Sequence, residues 1–434
     1  MKLLIKNGRV IDPAAGLDET LDLLVVDGRI KAMGPKLAAD GCRVIEASRL
    51  VVVPGLIDMH VHLRQPGFEE KETIVTGGRA AARGGFTTVC PMPNTNPVND
   101  CPSVTEAILA EARRSSPVNI LPIAAVTIGS RGEELTDMAG LLKAGAVAFS
   151  DDGKPVANSR TMRRAMEEAR ALHSFIIDHC EDLKLAGDGV MNEGPAAERF
   201  GLKGMPAASE AVAVARDIVL AAATGARVHI AHISTAAAVE AVREAKKRGV
   251  PVTAEATPHH MTLSEESLAT HDANFKMNPP LRSKTDIEAL LAAVSDGTID
   301  VIATDHAPHT GAEKARGINK APFGVVGLET AVAVVLDRLV HRRVISLGRM
   351  VELMSSNPAR ILGLAGKGRM AVGCDADLTF LNLAKETVID KNRFESKGHN
   401  TPFDGWKLRG AAVLTMVGGH VVYPFGDDAV FPGS

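Results

Sequence analysis

From Val51 onward the chain repeats one pattern: a short apolar run, then a longer stretch whose apolar residues are spaced as on one face of a helix. The runs VVVPGLID, FTTVCPMPN, VNILPIAAV, AVAFSDD, SFIIDHC, RVHIAHIS, PVTAEATP and DVIATDHAP make eight strand candidates. Strands alternating with helical segments predict βαβ units and a parallel sheet. Eight such units predict an α/β fold built on a closed (β/α)₈ TIM barrel. The segment STAAAVEAVREAKKRG carries full helix punctuation, with Ser234 or Thr235 as N-cap, basic residues in the last turn and a stop at Gly249.

The pattern changes on both sides of this middle. Over the first fifty residues, β-like runs at 3–5, 9–11 and 23–26 alternate with turn signals at Asn7-Gly8 and Asp27-Gly28, which predicts small antiparallel sheet. After about Ala365 the β texture returns in ADLTFLNL and in AAVLTMVGGHVVYP, where Gly418-Gly419 signals a hairpin. The expected organisation is a barrel over 54–363, with 1–53 and 364–434 joined into one small β-sandwich domain.

Composition narrows the function classes. The 434 residues are 23% charged with a formal net charge of −3, a globular balance that argues against disorder. No dense Lys/Arg run appears, and Phe 12, Trp 1 and Tyr 1 leave few rings for base stacking, which argues against a general nucleic-acid binder. No run of eighteen apolar residues predicts a membrane span. Cysteines at 42, 90, 101, 180 and 374 form no CxxC pair, which fits reduced thiols. Asn7, Gly8, Arg9 and Asp12 interrupt any secretory h-region, so the expected location is cytoplasmic.

Barrel enzymes place their chemistry at the C-terminal ends of the strands. The first candidate strand ends in His60-Val61-His62, and residues two apart on a strand point the same way. His179 follows FIID, His232 follows HIA and Asp305 follows VIAT, each at the exit of a different strand. Singly, each is an ordinary interior residue; together they supply nitrogen and oxygen ligands on one rim, suited to zinc or a similar divalent ion. His229, at an odd offset from His232, is expected to point away from the barrel interior. His259 and His260 are expected to hydrogen-bond locally, and Cys90 and Cys180 to be inert buried thiols.

This ordered set resembles the amidohydrolase superfamily. Within it, DMHVHLRQPG, PMPNTNP, FSDDG, KMNPPLR, ATDHAPH, PFGVVGLET and TPFDGW resemble class I dihydroorotases across nearly the whole chain. Many two-metal members of the superfamily bridge their ions with a carboxylated lysine after strand four. Here Lys143 precedes that strand and Lys154 lies beyond its turn, so a carboxylate is expected instead, and the resemblance selects Asp152 over Asp151. It also implies substrate contacts by His62, Arg64, Asn94, Asn278, His309 and the backbone of Phe323 and Gly324.

The implied reaction is the reversible cyclisation of N-carbamoyl-L-aspartate to L-dihydroorotate in de novo pyrimidine synthesis. It would use one or two Zn²⁺ ions, a metal-activated hydroxide and Asp305 as general base. Hydantoinase or allantoinase chemistry is the alternative within the enzyme class. An inactive scaffold for aspartate transcarbamoylase is the alternative outside it, although such scaffolds typically lack the metal ligands that this chain retains. Partnership with the transcarbamoylase and a homo-oligomer are both compatible with an active chain. The stretch APHTGAEKARGINKA, with two glycines and no apolar period, reads as a mobile loop over the mouth.

Overall fold

The computed structural model describes residues 2–425; Met1 and residues 426–434, the far end of the expected β domain, lie outside the described residues. The N-terminal segment forms β1 (Lys2–Asp12), β2 (Leu17–Val26), β3 (Arg29–Gly34), β4 (Arg43–Glu46) and β5 (Val51–Pro54). Asp27-Gly28 turns β2 into β3 as expected. Asn7-Gly8 does not turn the chain; it is a bulge inside β1, where the register against β2 slips between Ile5 and Gly8. A side chain at Gly8 would meet Val52 Cγ2 at 2.8 Å, so the glycine serves close packing rather than a reversal.

The run VVVPGLID divides at Gly55. Its first half is β5, which pairs with β1; its second half is β6 (Leu56–Val61), which opens the barrel. A Cβ on Gly55 would lie 2.1 Å from Thr87 Oγ1, so only glycine fits at this junction. The barrel continues through β7 (Phe86–Pro91), β8 (Asn119–Ile120) and β9 (Ile176–Asp178). A two-stranded ribbon, β10 (Met191–Asn192) with β11 (Gly204–Met205), follows outside it. The circuit then runs through β12 (Val228–Ile230), β13 (Val252–Ala256) and β14 (Val301–Ile302).

The fourth position, AVAFSDD, forms no extended ladder; Phe149 alone bridges to Ala124 on one side and Ile176 on the other. A parallel bridge between Val61 and His306 closes the circuit. Met59, Cys90, Ile123, Ala148, Ile177, Ala231 and Val301 fill the barrel interior, while Val228 and Ile230 face the surrounding helices. Alternation along each strand thus feeds two separate cores.

The C-terminal segment adds β15 (Leu378–Val388), β16 (Lys407–Val417) and β17 (His420–Tyr423). All eight strands of the end domain belong to one hydrogen-bonded sheet in which β15 pairs with β5. The expected sandwich is this single sheet curled around its own apolar core, which contains Ile5, Val25, Phe380 and Met416. Where it curls back, a Cβ on Gly28 would meet Gly418 O at 2.9 Å. The sheet is sewn to the barrel base by Thr379, whose Oγ1 accepts from Leu56 N–H at 3.3 Å and donates to Gly85 O at 2.6 Å.

Candidate metal and substrate site

His60 and His62 leave β6 on the same side, as their spacing requires. His60 Nε2 lies 3.3 Å from Asp152 Oδ1 and 3.6 Å from Asp305 Oδ1. His62 Nε2 lies 3.0 Å from Asp305 Oδ1 and 3.6 Å from Asp152 Oδ2. From the other side, His179 Nδ1 and His232 Nε2 face each other at 2.8 Å, each 3.8 Å from Asp152 Oδ1. Two overlapping groups, His60/His62/Asp305 and His60/Asp152/His232, have their ligand atoms within 4.8 Å of one another.

Imidazole nitrogens and carboxylate oxygens converging without a lysine or arginine between them make a donor set for a divalent cation. His60 Nε2 and Asp152 Oδ1 are buried with no hydrogen-bond partner, a state that costs free energy unless something else engages them. The residues present therefore fit a metal. Burial acts to raise the pKa of Asp305, but the His62 hydrogen bond and the neighbouring imidazoles outweigh it and hold the carboxyl below its ordinary range. Asp152 is likewise held low, against burial, chiefly by His60.

The neighbouring Asp151 turns the other way. Its Oδ1 accepts from Val126 N–H at 2.8 Å and Thr127 N–H at 3.1 Å, so it fastens the loop after β8. Lys154 donates its backbone N–H to Asp151 O within the turn.

Next to the cluster is a cavity of about 220 Å³ lined by Arg64, Asn94, Asn278, His309, Phe323 and Gly324 together with His62 and Asp305. Larger grooves elsewhere, such as one of about 550 Å³ beside Pro13 and Arg360, hold no comparable donor set. Asn94 Oδ1 accepts from His62 Nδ1–H at 2.9 Å, and its Nδ2 donates to Asp152 Oδ2 at 3.3 Å. Asn278 Nδ2 donates to Glu181 Oε2 at 3.2 Å and lies 3.3 Å from His179 Nε2. His309 Nε2 reaches Phe323 O at 2.7 Å; burial and then the Arg64 charge push its pKa down to about 3, so the ring is neutral.

Arg64 is the unusual member. Its Nε donates to Pro308 O at 3.3 Å, and among the described residues no carboxylate lies within ion-pair distance of its guanidinium. Its backbone φ of 62°, with 27° at His232 and 47° at Asp305, places three site residues in the left-handed region, where non-glycine residues are strained. Such strain accumulates where the chain must aim a side chain.

That geometry corrects one expectation. His229 faces the barrel interior, with Nδ1 2.8 Å from Thr253 Oγ1 and Nε2 3.1 Å from Glu255 Oε2. Counting back from His232 fails because the left-handed residue breaks the alternation. His260 bonds Thr257 in its own turn and, nineteen residues on, Pro279 O; the local bond expected of His259 is absent at its Nε2, which is buried without a hydrogen-bond partner. Burial lowers the His259 pKa to about 4, keeping it neutral. Cys90 and Cys180 are buried, with burial raising both thiols; Cys180 lies beside Asp178 and Asp217, which Arg216 pairs at 3.2 and 2.7 Å. Sequence reasoning missed Glu181 and Glu255. Glu255 was signalled only as a charged residue in an otherwise small or apolar stretch, and Glu181, in the polar run DHCEDLK, by nothing that sets it apart.

A family model described as Dihydro-orotase-like matches residues 49–238. A dihydroorotase of Pelotomaculum thermopropionicum is 54% identical over 97% of this chain and 98% of its own length. One from Geobacter sp. strain M21 is 52% identical over 98% of this chain and 100% of its own. Among solved structures, an L-hydantoinase (dihydropyrimidinase) from Arthrobacter aurescens superposes with a TM-score of 0.88 at 27% identity, covering 96% of this chain and 95% of that one. A D-hydantoinase (dihydropyrimidinase) from Thermus sp. gives 0.81 at 27%, covering 96% and 94%.

Proposed function

The chain belongs to the dihydroorotase family, and on that premise we propose that its site interconverts N-carbamoyl-L-aspartate and L-dihydroorotate within pyrimidine synthesis. It is a cyclic amide hydrolase of the amidohydrolase type. The observation that supports the substrate assignment is a half-buried guanidinium, Arg64, which lines the same cavity as His62, Asp152, His179, His232 and Asp305 and, among the described residues, has no carboxylate at ion-pair distance.

His60, His62 and Asp305 would hold one divalent ion, His179 and His232 a second, with Asp152 in reach of both; zinc suits these donors. A cation bound there supplies Lewis acidity, lowering the pKa of water from about 16 to about 7 and polarising a carbonyl. The remaining work belongs to the chain. Arg64 offers a planar two-pronged contact to the substrate carboxylate, beside Asn94 and His309. Asn278 and the Phe323–Gly324 backbone border the ring; Phe323 O, already accepting from His309, keeps a second lone pair for a ring N–H.

In ring opening, Asp305 accepts the proton of the attacking water and returns it to the departing ring nitrogen. In cyclisation it takes a proton from the carbamoyl nitrogen as that nitrogen attacks the side-chain carboxyl carbon, then gives it to the departing carboxyl oxygen, which leaves as water when the C–O bond breaks. His62 Nε2 lies 3.0 Å from Asp305 Oδ1, which leaves Oδ2 for the transferred proton.

The five cysteines are free among the described residues, which supports a reducing, cytoplasmic setting. Association with aspartate transcarbamoylase or with a second copy is compatible with this reading.

Asp305→Asn is expected to slow dihydroorotate hydrolysis about 10²–10⁴-fold, with zinc content measured alongside to separate proton transfer from ligand loss. The unaltered enzyme is expected to turn over dihydroorotate faster than hydantoin or allantoin at equal concentration. Faster hydantoin turnover would transfer the assignment to that chemistry; a zinc-loaded, inactive chain that binds the transcarbamoylase would favour the scaffold role.

A further inference from the structure

We propose that Glu255 is a positioning residue that fixes one histidine on each side of the metal cluster, a role that rests on the metal-site reading above. Glu255 is 0% exposed in the middle of the apolar β13. Its partners are all in or beside the ligand set. Oε1 accepts from His60 Nδ1–H at 2.7 Å and from the backbone N–H of His232 at 3.2 Å; Oε2 takes His229 Nε2 at 3.1 Å. The backbone O of Glu255 accepts from Ile233 N–H at 2.8 Å. Among the described residues no lysine or arginine lies within ion-pair distance of it.

A carboxylate buried without a cationic side chain is costly, and here Oε1 engages one ligand's ring and another ligand's backbone, while Oε2 engages His229, which is outside the ligand set. With Nδ1–H committed to Glu255, His60 presents the bare Nε2 toward Asp152 and Asp305, and its ring cannot flip without losing that bond. The Oε1 bond to the His232 N–H, added to the main-chain bond from Ile233 N–H to Glu255 O, holds the left-handed turn that aims the His232 ring at His179. One side chain on a strand that contributes no ligand thereby sets the register between the β6 ligands and the β12 ligand.

The test titrates zinc into metal-stripped unaltered protein, Glu255→Gln and His229→Gln, in competition with a chromophoric chelator, and records thermal melts of the stripped proteins. His229→Gln disturbs the other oxygen of the same carboxylate but no ligand. The expected result is zinc binding by the unaltered chain, affinity about ten- to a hundredfold weaker in Glu255→Gln, and His229→Gln close to unaltered, with similar melting midpoints for the two variants. Equal affinity in Glu255→Gln, or an equal loss in His229→Gln, would overturn the positioning role. No zinc binding by the unaltered chain would instead remove the metal site itself. Should Glu255→Gln not fold, nitrogen NMR of the zinc-loaded unaltered protein decides: a protected Nδ1–H on His60 supports the assignment, and a proton on its Nε2 overturns it.

Discussion

A guanidinium that is half-buried, strained at its own backbone and, among the described residues, without a carboxylate partner is held ready for an anion from outside, and Arg64 meets all three conditions. Replacing it with lysine keeps the charge but loses the planar fork. Arg64→Lys is expected to raise KM for dihydroorotate by at least about tenfold, the scale of one charged hydrogen bond lost, with a smaller effect on kcat. Steady-state kinetics check this, and an unchanged KM would place the substrate carboxylate elsewhere. The positions of His60, His62, His179, His232 and Asp305 were legible because each follows an apolar run, where a barrel exposes its strand exits. The residues identified only by family likeness, Asn94 and Asn278 among them, lie in loops whose paths no periodicity encodes. Glu255 was illegible for the opposite reason: it sits inside a strand, and a strand interior is read for packing. His229 was misdirected by a single left-handed residue, which an alternation count cannot see.

At the scale of elements, the stretch after β14 is more ordered than its composition suggests. Within it, residues 311–314 form one helical turn, capped reciprocally by Thr310 and Glu313, and Glu313 pairs with Lys71 at 2.8 Å. Lys314 points inward, donating to Lys276 O at 3.2 Å and Pro322 O at 3.0 Å; Gly324 N–H bonds the same Lys276 carbonyl. One turn is too short to show a period, and a lysine reads as surface, so the sequence shows a loop. Burial first, then the neighbouring Lys276 charge, lowers the Lys314 pKa from 10.5 to about 7. The sign follows: docked, Lys314 is deprotonated above about pH 7, whereas released it stays protonated up to 10.5, so release takes up a proton in that window. Rising pH therefore favours the docked segment, and below about pH 7 the effect vanishes. Hydrogen-exchange protection of residues 311–321, corrected for intrinsic rates, is expected to climb by up to about tenfold per pH unit above 7 and to flatten in Lys314→Met. A flat profile in the unaltered protein would sink the linkage.

For the whole molecule, the division into a helical barrel and a β domain was legible from the change of period at both flanks. The curling of that domain into one sheet was not, because it depends on contacts between segments far apart in sequence. The ligand cluster joins five of the eight barrel positions, so a bound ion stabilises the barrel by mass action. Chelation is expected to lower the melting temperature reversibly, with zinc at a thousandfold over Kd restoring about 4 kcal/mol; identical melts with and without chelator would contradict this. The seam at Thr379 governs a different event, synthesis. Thr379 follows Leu56 by 323 residues, and at about 5–20 residues per second the nascent chain waits roughly 16–65 s for the strand that covers β5. Throughout that interval Val51, Val52 and Val53 present an open apolar edge of the kind that recruits other chains. Ribosome-stalled chains ending before residue 378 are therefore the form in which this protein most needs a chaperone.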